Sequence, residues 1–547
     1  MWSQVYDPFG SLLVSAAVAV IPVLVLLASI GIFEVRAHIA AILGLTAALL
    51  VAIFAYGMPT QMAGTAALYG AAFGFLPIGW IILNVIFLYR LASEKGEFDV
   101  LQKSIGAISS DKRLQLLFVA FSFGAFFEGA AGFGTPVAVT SAMLIGLGFP
   151  PLPASGLSLI ANTAPVAFGA LGTPLVALSA VTGLDLYSLS ATVGRLLAPF
   201  AIIVPFWVVW AFVGFRKMIE VWPPILVAGV CFAVPQYLVS NFHGPWLVNI
   251  VASLASMAGL TLFLKVWRPK VVMTEVSDSG PSEPSLAAHS TRHSSDALWR
   301  AWTPWIILAV FVFLWGTPQV RAGLDGIWIE KIPVAGLHDL VQKMPPVVPA
   351  PKVEAAVFNV NLLSATGTGI LLSAIVSGLF LGYGVLDLMR MYAKTIYVVR
   401  YSLMTISCMM AIGFVTRYSG SDATLGLALA QTGWAYPFFG TLIGWLGVAL
   451  TGSDTSSNVL FGGLQKITAQ QLGINPILMA SANSAGGVMG KMIDAQSIVV
   501  ASTATKWYGH EGSILRFVFF HSLALAMLVG LLVMAETYLW PFKLLAP

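Results

Sequence analysis

Charge is what this 547-residue chain has least of. Asp, Glu, Lys and Arg together make up 9% of it, against 58% hydrophobic residues. Soluble domains carry about a quarter charged residues, so a water-soluble globular protein is excluded. The net charge of +4 is small and sits between apolar runs, which does not make a nucleic-acid footprint. Cysteine is nearly absent as well. Cys231 and Cys408 lie in apolar segments and read as packing thiols, which leaves no disulfide framework. No Gly-x-x-x-x-Gly-Lys-Ser/Thr loop occurs, so nothing suggests ATP drive. No hydrolytic triad or metal-ligand cluster is legible, and neither an enzyme nor a cofactor is expected. No basic region precedes the first apolar run, which is also longer than a signal-peptide core and is expected to be retained.

What the chain does have is long apolar stretches. Ser11–Phe33, Ala37–Tyr56 and Leu247–Val266 are each long enough to cross a hydrocarbon core of about 30 Å. The span 269–300 breaks the pattern. It is rich in Ser, Pro and His and reads as a solvated linker between a first half, 1–268, and a second half, 301–547. Its His289 and His293 have helical ligand spacing but no partner set.

Lys and Arg collect in cytoplasmic loops. Arg36, the group from Arg90 to Arg113, Arg216 with Lys217, Lys265 to Lys270, Arg390 to Arg400, and Lys506 all fit one alternating path. That path puts both termini outside and the linker inside. It also puts the Pro-rich stretch Pro318–Lys352 outside despite its basic residues. The path requires 114–150 and 434–472 each to return to the side they entered. Each holds two apolar arms of roughly 15 residues, short for two full spans, so re-entrant hairpins are expected.

Two polar breaks interrupt the apolar chain. One runs from Glu128 through Gly132, Phe133, Gly134 and Thr135 to Pro136, followed by Asn162-Thr163. The other runs Ser453-Asp454-Thr455-Ser456-Ser457-Asn458, followed by Asn483-Ser484. Irregular backbone at membrane depth survives only where protein buries it or a cavity solvates it. The copies are related by small drifts in offset: 483 − 162 = 321 and 454 − 128 = 326. The loop after Arg90 is basic, whereas the loop after its counterpart Arg417 is not. Matching elements therefore face opposite sides, the pattern of an inverted repeat with its solute site at the breaks. The expected fold is an all-α integral membrane protein with about 12 transmembrane helices plus two hairpins.

The residue types suggest roles. Glycines and Pro136 permit a half-helix whose exposed N–H groups suit a carboxylate, with Thr135 adding a hydroxyl. Close helix packing through small residues is the other reading of those glycines. Glu128 is an intramembrane carboxylate, which by default is a functional candidate. Burial disfavours its charged form and a cation favours it, the requirement for loading and releasing a proton. The hydroxyl-rich second break suits a hydroxy acid, water or a sodium ion. Asn162, Thr163, Asn483 and Ser484 either bind solute or satisfy unwound backbone. Lys491 and Asp494, spaced i, i+3, either pair with each other or serve a substrate carboxylate and a proton path. Arg195 and Arg417 are weaker candidates, and His521 reads as a satisfied helix histidine.

The segments Phe126–Pro136, Thr451–Asn458 and Ser481–Gly487 resemble the L-lactate permease family, as do the length and the Ser/Pro-rich linker. The resemblance implies a bacterial inner-membrane permease, whose termini the charge path then puts in the periplasm. It would take up L-lactate, and D-lactate or glycolate, by proton symport. The candidates for the substrate site, read from their residue types at the two breaks, are Gly132, Phe133, Gly134, Thr135, Asn162, Thr163, Ser453, Thr455, Ser456, Ser457, Asn458, Asn483, Ser484 and Lys491. Glu128, Asp454 and Asp494 would handle the proton. The Asn-Thr and Asn-Ser pairs are more distantly similar to the Ser-Asn-Thr signatures of sodium-coupled di- and tricarboxylate carriers, with alanine at Ala161 and Ala482 in place of the leading serine. Sodium-coupled transport and a passive anion channel remain the alternatives, and a homodimer stays open.

Overall fold

A backbone that must satisfy its own hydrogen bonds inside a bilayer leaves helices as the dominant element. The structure is a computed structural model. It describes all residues except 32, 34, 98–99, 101–108, 131, 133–134, 275–294, 349, 508–509 and 543–547. Phe133, Gly134, His289 and His293 therefore lie outside the described residues.

The first half begins with α1 (Leu12–Ala19) and α2 (Ile21–Gly31), so the apolar run Ser11–Phe33 is two helices, not one. Then come α3 (Ala37–Leu50), α4 (Thr60–Phe73) and α5 (Trp80–Glu94). The first hairpin is α6 (Lys112–Ala130) and α7 (Thr135–Gly146). It is followed by α8 (Pro151–Ala161), α9 (Gly169–Thr182), α10 (Leu186–Ile219), α11 (Trp222–Phe242) and α12 (Val248–Val266).

The second half holds α13 (Ser295–Gly316), α14 (Pro318–Ile327), α15 (Thr366–Phe380), α16 (Val385–Ser419) and α17 (Ser421–Leu429). Its hairpin is α18 (Tyr436–Thr451) with α19 (Asp454–Gln471). The chain closes with α20 (Pro476–Gly490), α21 (Ala495–Ala504) and α22 (Glu511–Tyr538). Eight described helices are long and apolar enough to cross a membrane, or up to ten if each bent pair is one span. Helix α13 starts inside the stretch expected to be linker, with Asp296 in its first turn, where the helix dipole favours a carboxylate.

Short strands were not legible in the sequence. β1 (Trp2–Ser3) runs parallel to β3 (Val341–Lys343), with Trp2 opposite Val341, and β3 pairs antiparallel with β4 (Lys352–Glu354). β2 (Glu330–Pro333) pairs antiparallel with β5 (Val357–Val360), with Glu330 opposite Val360. The Pro-rich stretch thus folds into two small sheets, one of them completed by the N-terminus.

Helix starts recur at one spacing. Thr60 and Val385 begin helical runs of 35 residues, and 385 − 60 = 325. The same offset separates Pro151 from Pro476 and Leu186 from Glu511.

Helix α10 shows where the hairpins open. Its 34 residues span roughly 50 Å at 1.5 Å per residue, with a break at Gly214 near the far end. Beside its start, Lys466 Nζ donates to the Thr182 carbonyl at 2.5 Å and Arg417 to the Ala180 carbonyl at 3.0 Å. Arg417 and Lys343 both pair with Glu354 there. Gln471, the last residue of α19, donates to the Pro346 carbonyl at 3.1 Å. The mouth of the second hairpin and the sheets therefore share this end. At the far end of α10, buried Arg113 pairs with Asp111 and Glu220 and donates to the Lys217 carbonyl. Lys112 Nζ, at the start of α6, donates to the Leu147 carbonyl just past α7. The first hairpin closes on itself at this opposite end.

Candidate functional site at the meeting of two helix breaks

The tips of both hairpins reach one cavity of about 140 Å³. That is well below the roughly 300–1,000 Å³ of drug-sized sites and suits a solute of a few heavy atoms. Glu128 and Gly132 line it from the first tip, Ser453 to Ser456 from the second, and Lys491 from the turn after α20.

Each tip has a local cause. Gly132 sits at φ +59°, where a side chain would be strained, and its N–H returns to the Phe127 carbonyl. At the second tip Gly452 adopts φ +71° and ends α18. Ser453 is extended and caps α19, its hydroxyl accepting from the Ser456 N–H at 3.3 Å. The break is thus two residues long. Asp454 to Asn458, expected to be irregular, form the opening turns of a helix. They are buried, so they are not a surface loop.

Two carboxylates face each other across this arrangement. Glu128 accepts from Asn162 Nδ2 at 3.1 Å. A Cβ at Gly169 would run into the Glu128 carboxylate, so glycine there leaves it room. Asp454 Oδ2 accepts from Ser484 Oγ at 2.6 Å and from Asn458 Nδ2 at 3.3 Å, while its Oδ1 is buried with no hydrogen-bond partner among the described residues. Among the described residues neither carboxylate forms a salt bridge. Lys491 Nζ donates to the Gly452 carbonyl at 2.6 Å and pairs with Asp494 at 3.2 Å. This lysine is therefore paired with Asp494 and also lines the cavity.

A family model described as L-lactate permease matches residues 15–540. The chain belongs to the L-lactate permease family. It is similar to the glycolate permease GlcA of Escherichia coli (strain K12), 44% identical over 552 residues and covering 98% of each chain. The L-lactate permease of the same organism is 43% identical over 543 residues, with 98% of each chain covered. The L-lactate permease of Bacillus subtilis (strain 168) is 40% identical over 563 residues, covering 99% of this chain and 100% of the relative. Among solved structures, the YdaH transporter of Alcanivorax borkumensis superposes with a TM-score of 0.42 at 14% identity, covering 87% of each chain. Family membership and the apolar helices make this a bacterial multi-pass membrane protein of a permease family.

Within this family member the expected residues take different places. Gly132, Ser453, Thr455, Ser456, Lys491, Glu128 and Asp454 reach the cavity. Asn162, Asn458 and Ser484 stand behind it and hold the carboxylates. Thr163 donates to the Ile160 carbonyl and Ser457 to the Gly444 carbonyl, both satisfying helix backbone. The backbone of Thr135 opens α7, as expected of the residue before Pro136.

Asn483 and Ser484 were expected at a break. They lie instead in the middle of α20, which runs unbroken to Gly490. Only the first-half copy unwinds at its asparagine. There α8 ends, the chain bends by 65°, and Ala170, Leu171 and Gly172 take left-handed φ of 41°, 55° and 76°. Such conformations in non-glycine residues are costly and tend to cluster at functional sites. In the second half the interruption falls later, at Lys491–Asp494. Arg417 is held by Glu354, Arg195 donates to Asn241, and His521 accepts from Trp207 at 3.0 Å.

Sequence reasoning missed Ala170, Thr173 and Pro174 of α9 and Thr405, Ile406 and Met409 of α16, which complete the cavity wall. The Ala170–Gly172 turn has no composition signal. The α16 residues are ordinary for an apolar helix.

Proposed function

We propose that the chain takes up 2-hydroxy monocarboxylates such as lactate and glycolate by proton symport across the bacterial inner membrane. One observation carries the reading. Among the described residues, two buried carboxylates without salt bridges, one from each hairpin tip, share a small cavity with a single lysine that is already paired. An anion entering beside ionised Glu128 and Asp454 meets like charge in a low-dielectric site, where repulsion is strong. A proton taken up by either carboxyl lessens that repulsion, so anion and proton favour each other's binding. Lys491 and the first N–H groups of α19 serve the substrate carboxylate, and the Ser453, Thr455 and Ser456 hydroxyls its 2-hydroxyl. Moving one anion with one proton is electroneutral, so membrane potential does not oppose uptake.

The architecture that goes with this function is an inverted repeat of halves 1–268 and 301–547. Counting α1 with α2, α4 with α5, α8 with α9 and α20 with α21 as one span each, and setting aside the short α14 and α17, gives 12 spans beside the two hairpins. The 325-residue recurrence and the opposite mouths of the hairpins support it. The path puts both termini and the sheets in the periplasm and the linker in the cytoplasm. The names of the relatives, a glycolate permease and L-lactate permeases, support the substrate class.

The test is lactate uptake into proteoliposomes under an imposed pH gradient with sodium absent. Accumulation above equilibrium is expected. Uptake that needs sodium would replace proton coupling, and equilibration without accumulation would indicate a channel.

A further inference from the structure

A line of buried polar side chains runs from the cavity to the base of the second hairpin. Tyr436 OH donates to Gln465 Oε1 at 2.7 Å, and Gln465 Nε2 donates to Asn483 Oδ1 at 3.1 Å. Asn483 Nδ2 donates to Asn458 Oδ1 at 3.0 Å, and Asn458 Nδ2 donates to Asp454 Oδ2 at 3.3 Å. All five residues are buried.

The direction of this chain is fixed by backbone carbonyls, which can only accept. Gln465 Nε2 also donates to the Gly440 carbonyl at 2.6 Å, so its amide nitrogen points there and its oxygen faces Tyr436. Asn458 Nδ2 also donates to the Pro174 carbonyl at 3.2 Å, so its oxygen must face Asn483. Asn483, between them, has one orientation left. Every donor therefore points toward Asp454. Hydrogen bonds in such a row polarise one another, so each link strengthens the last.

We propose that Tyr436, Gln465, Asn483 and Asn458 are positioning residues that set the proton affinity of Asp454 through this one-way row. The proposal rests on the symport reading above. Asp454 Oδ2 already accepts from Ser484 and Asn458, whereas Oδ1 has no hydrogen-bond partner among the described residues, which leaves Oδ1 open to a proton taken up by this carboxyl. The other charged groups facing Asp454 are Glu128 and Lys491 across the cavity, with Asp494 behind Lys491. The packed helices α9, α18 and α20 carry no Asp, Glu, Lys or Arg, and α16 presents Thr405, Ile406 and Met409. The Asn458–Pro174 bond carries the row into the first half, directly after the left-handed turn at Ala170–Gly172.

The experiment is the pH profile of lactate exchange in proteoliposomes for wild type, Tyr436→Phe, Asp454→Asn and the double variant. Tyr436→Phe keeps the ring and removes only the terminal donor. The midpoint of the profile should move to higher pH by about half a unit, because the acceptor carboxylate loses support. The shift should vanish when Asp454→Asn is already present. Gln465→Leu, which cuts the row, should move the midpoint further the same way. An unmoved midpoint in folded Tyr436→Phe and Gln465→Leu proteins, or an equal shift in the Asp454→Asn background, would overturn the proposal. A wild type whose exchange ignores pH would instead sink the symport reading and this inference with it.

Discussion

Ser484 Oγ donates to Asp454 Oδ2 at 2.6 Å, linking the middle of α20 to the first turn of α19. A hydroxyl in mid-helix normally turns back on its own backbone. Here it crosses to another helix and holds the carboxylate of the hairpin tip. Hydrogen bonds to charged groups contribute about 1.5–3 kcal/mol. Ser484→Ala should therefore cut kcat/KM for lactate roughly tenfold or more, with Ser484→Thr retaining most of it. Initial uptake rates check this, and an alanine variant equal to wild type would remove Ser484 from the site.

The second hairpin leans on α20 through glycines. A Cβ at Gly444 would lie 2.8 Å from Asn483 Cα, and one at Gly486 would lie 2.7 Å from Thr441 Cγ2. Such overpacking typically costs about 1–3 kcal/mol. Gly444→Ala and Gly486→Ala should each lower the thermal midpoint of the detergent-solubilised protein. Gly64→Ala, where nothing lies within 4 Å of the added carbon, should not.

Glu354, in the strand layer outside the spans, has a pH signature. Burial alone would push its carboxyl up, but Arg417 and Lys343 outweigh that and hold it below the ordinary carboxylate range. A depressed folded-state value means that its contribution is fully present above the unfolded value of about 4.3. It is then lost as pH falls through the folded one. Thermal stability of the wild type should thus drop below about pH 4 more steeply than that of Glu354→Gln. Parallel acid limbs for the two proteins would contradict the pairing.

The hairpin mouths lie at opposite ends of α10, with Lys112 beside one and Gln471 beside the other. In a background lacking Cys231 and Cys408, Lys112→Cys should react with impermeant maleimide only from the cytoplasmic side. Gln471→Cys should react only from the periplasmic side. Labelling of both from one face would contradict the opposed hairpins.

Much of this was legible in the residues because polar groups are so scarce. In a chain with 9% charge, Glu128 and Asp454 stand out against their apolar surroundings, and the structure brings both to one cavity. The short arms of 114–150 and 434–472 pointed to hairpins, and helix pairs 112–130 with 135–146 and 436–451 with 454–471 occupy those stretches, although the first arm, at 19 residues, is itself long enough to cross. Other features were hidden for physical reasons. Asn483 repeats Asn162 in sequence but not in conformation, because neighbours such as Gln465 and Asn458 satisfy its amide within an intact helix. Gln465 and Tyr436 look like ordinary helix residues until their bonds are traced. Glu330 of β2 pairs with Val360 of β5, and β1 comes from the far N-terminus, and no local pattern announces either.

The central claim is that anion and proton share the cavity between Glu128 and Asp454. Lactate-driven proton entry into proteoliposomes loaded with a pH-sensitive dye tests it most directly. Wild type should acidify the lumen in fixed ratio to lactate taken up. Glu128→Gln or Asp454→Asn should lower that ratio while lactate exchange persists. Lactate entry without acidification in the wild type, or an unchanged ratio in both variants, would contradict the account.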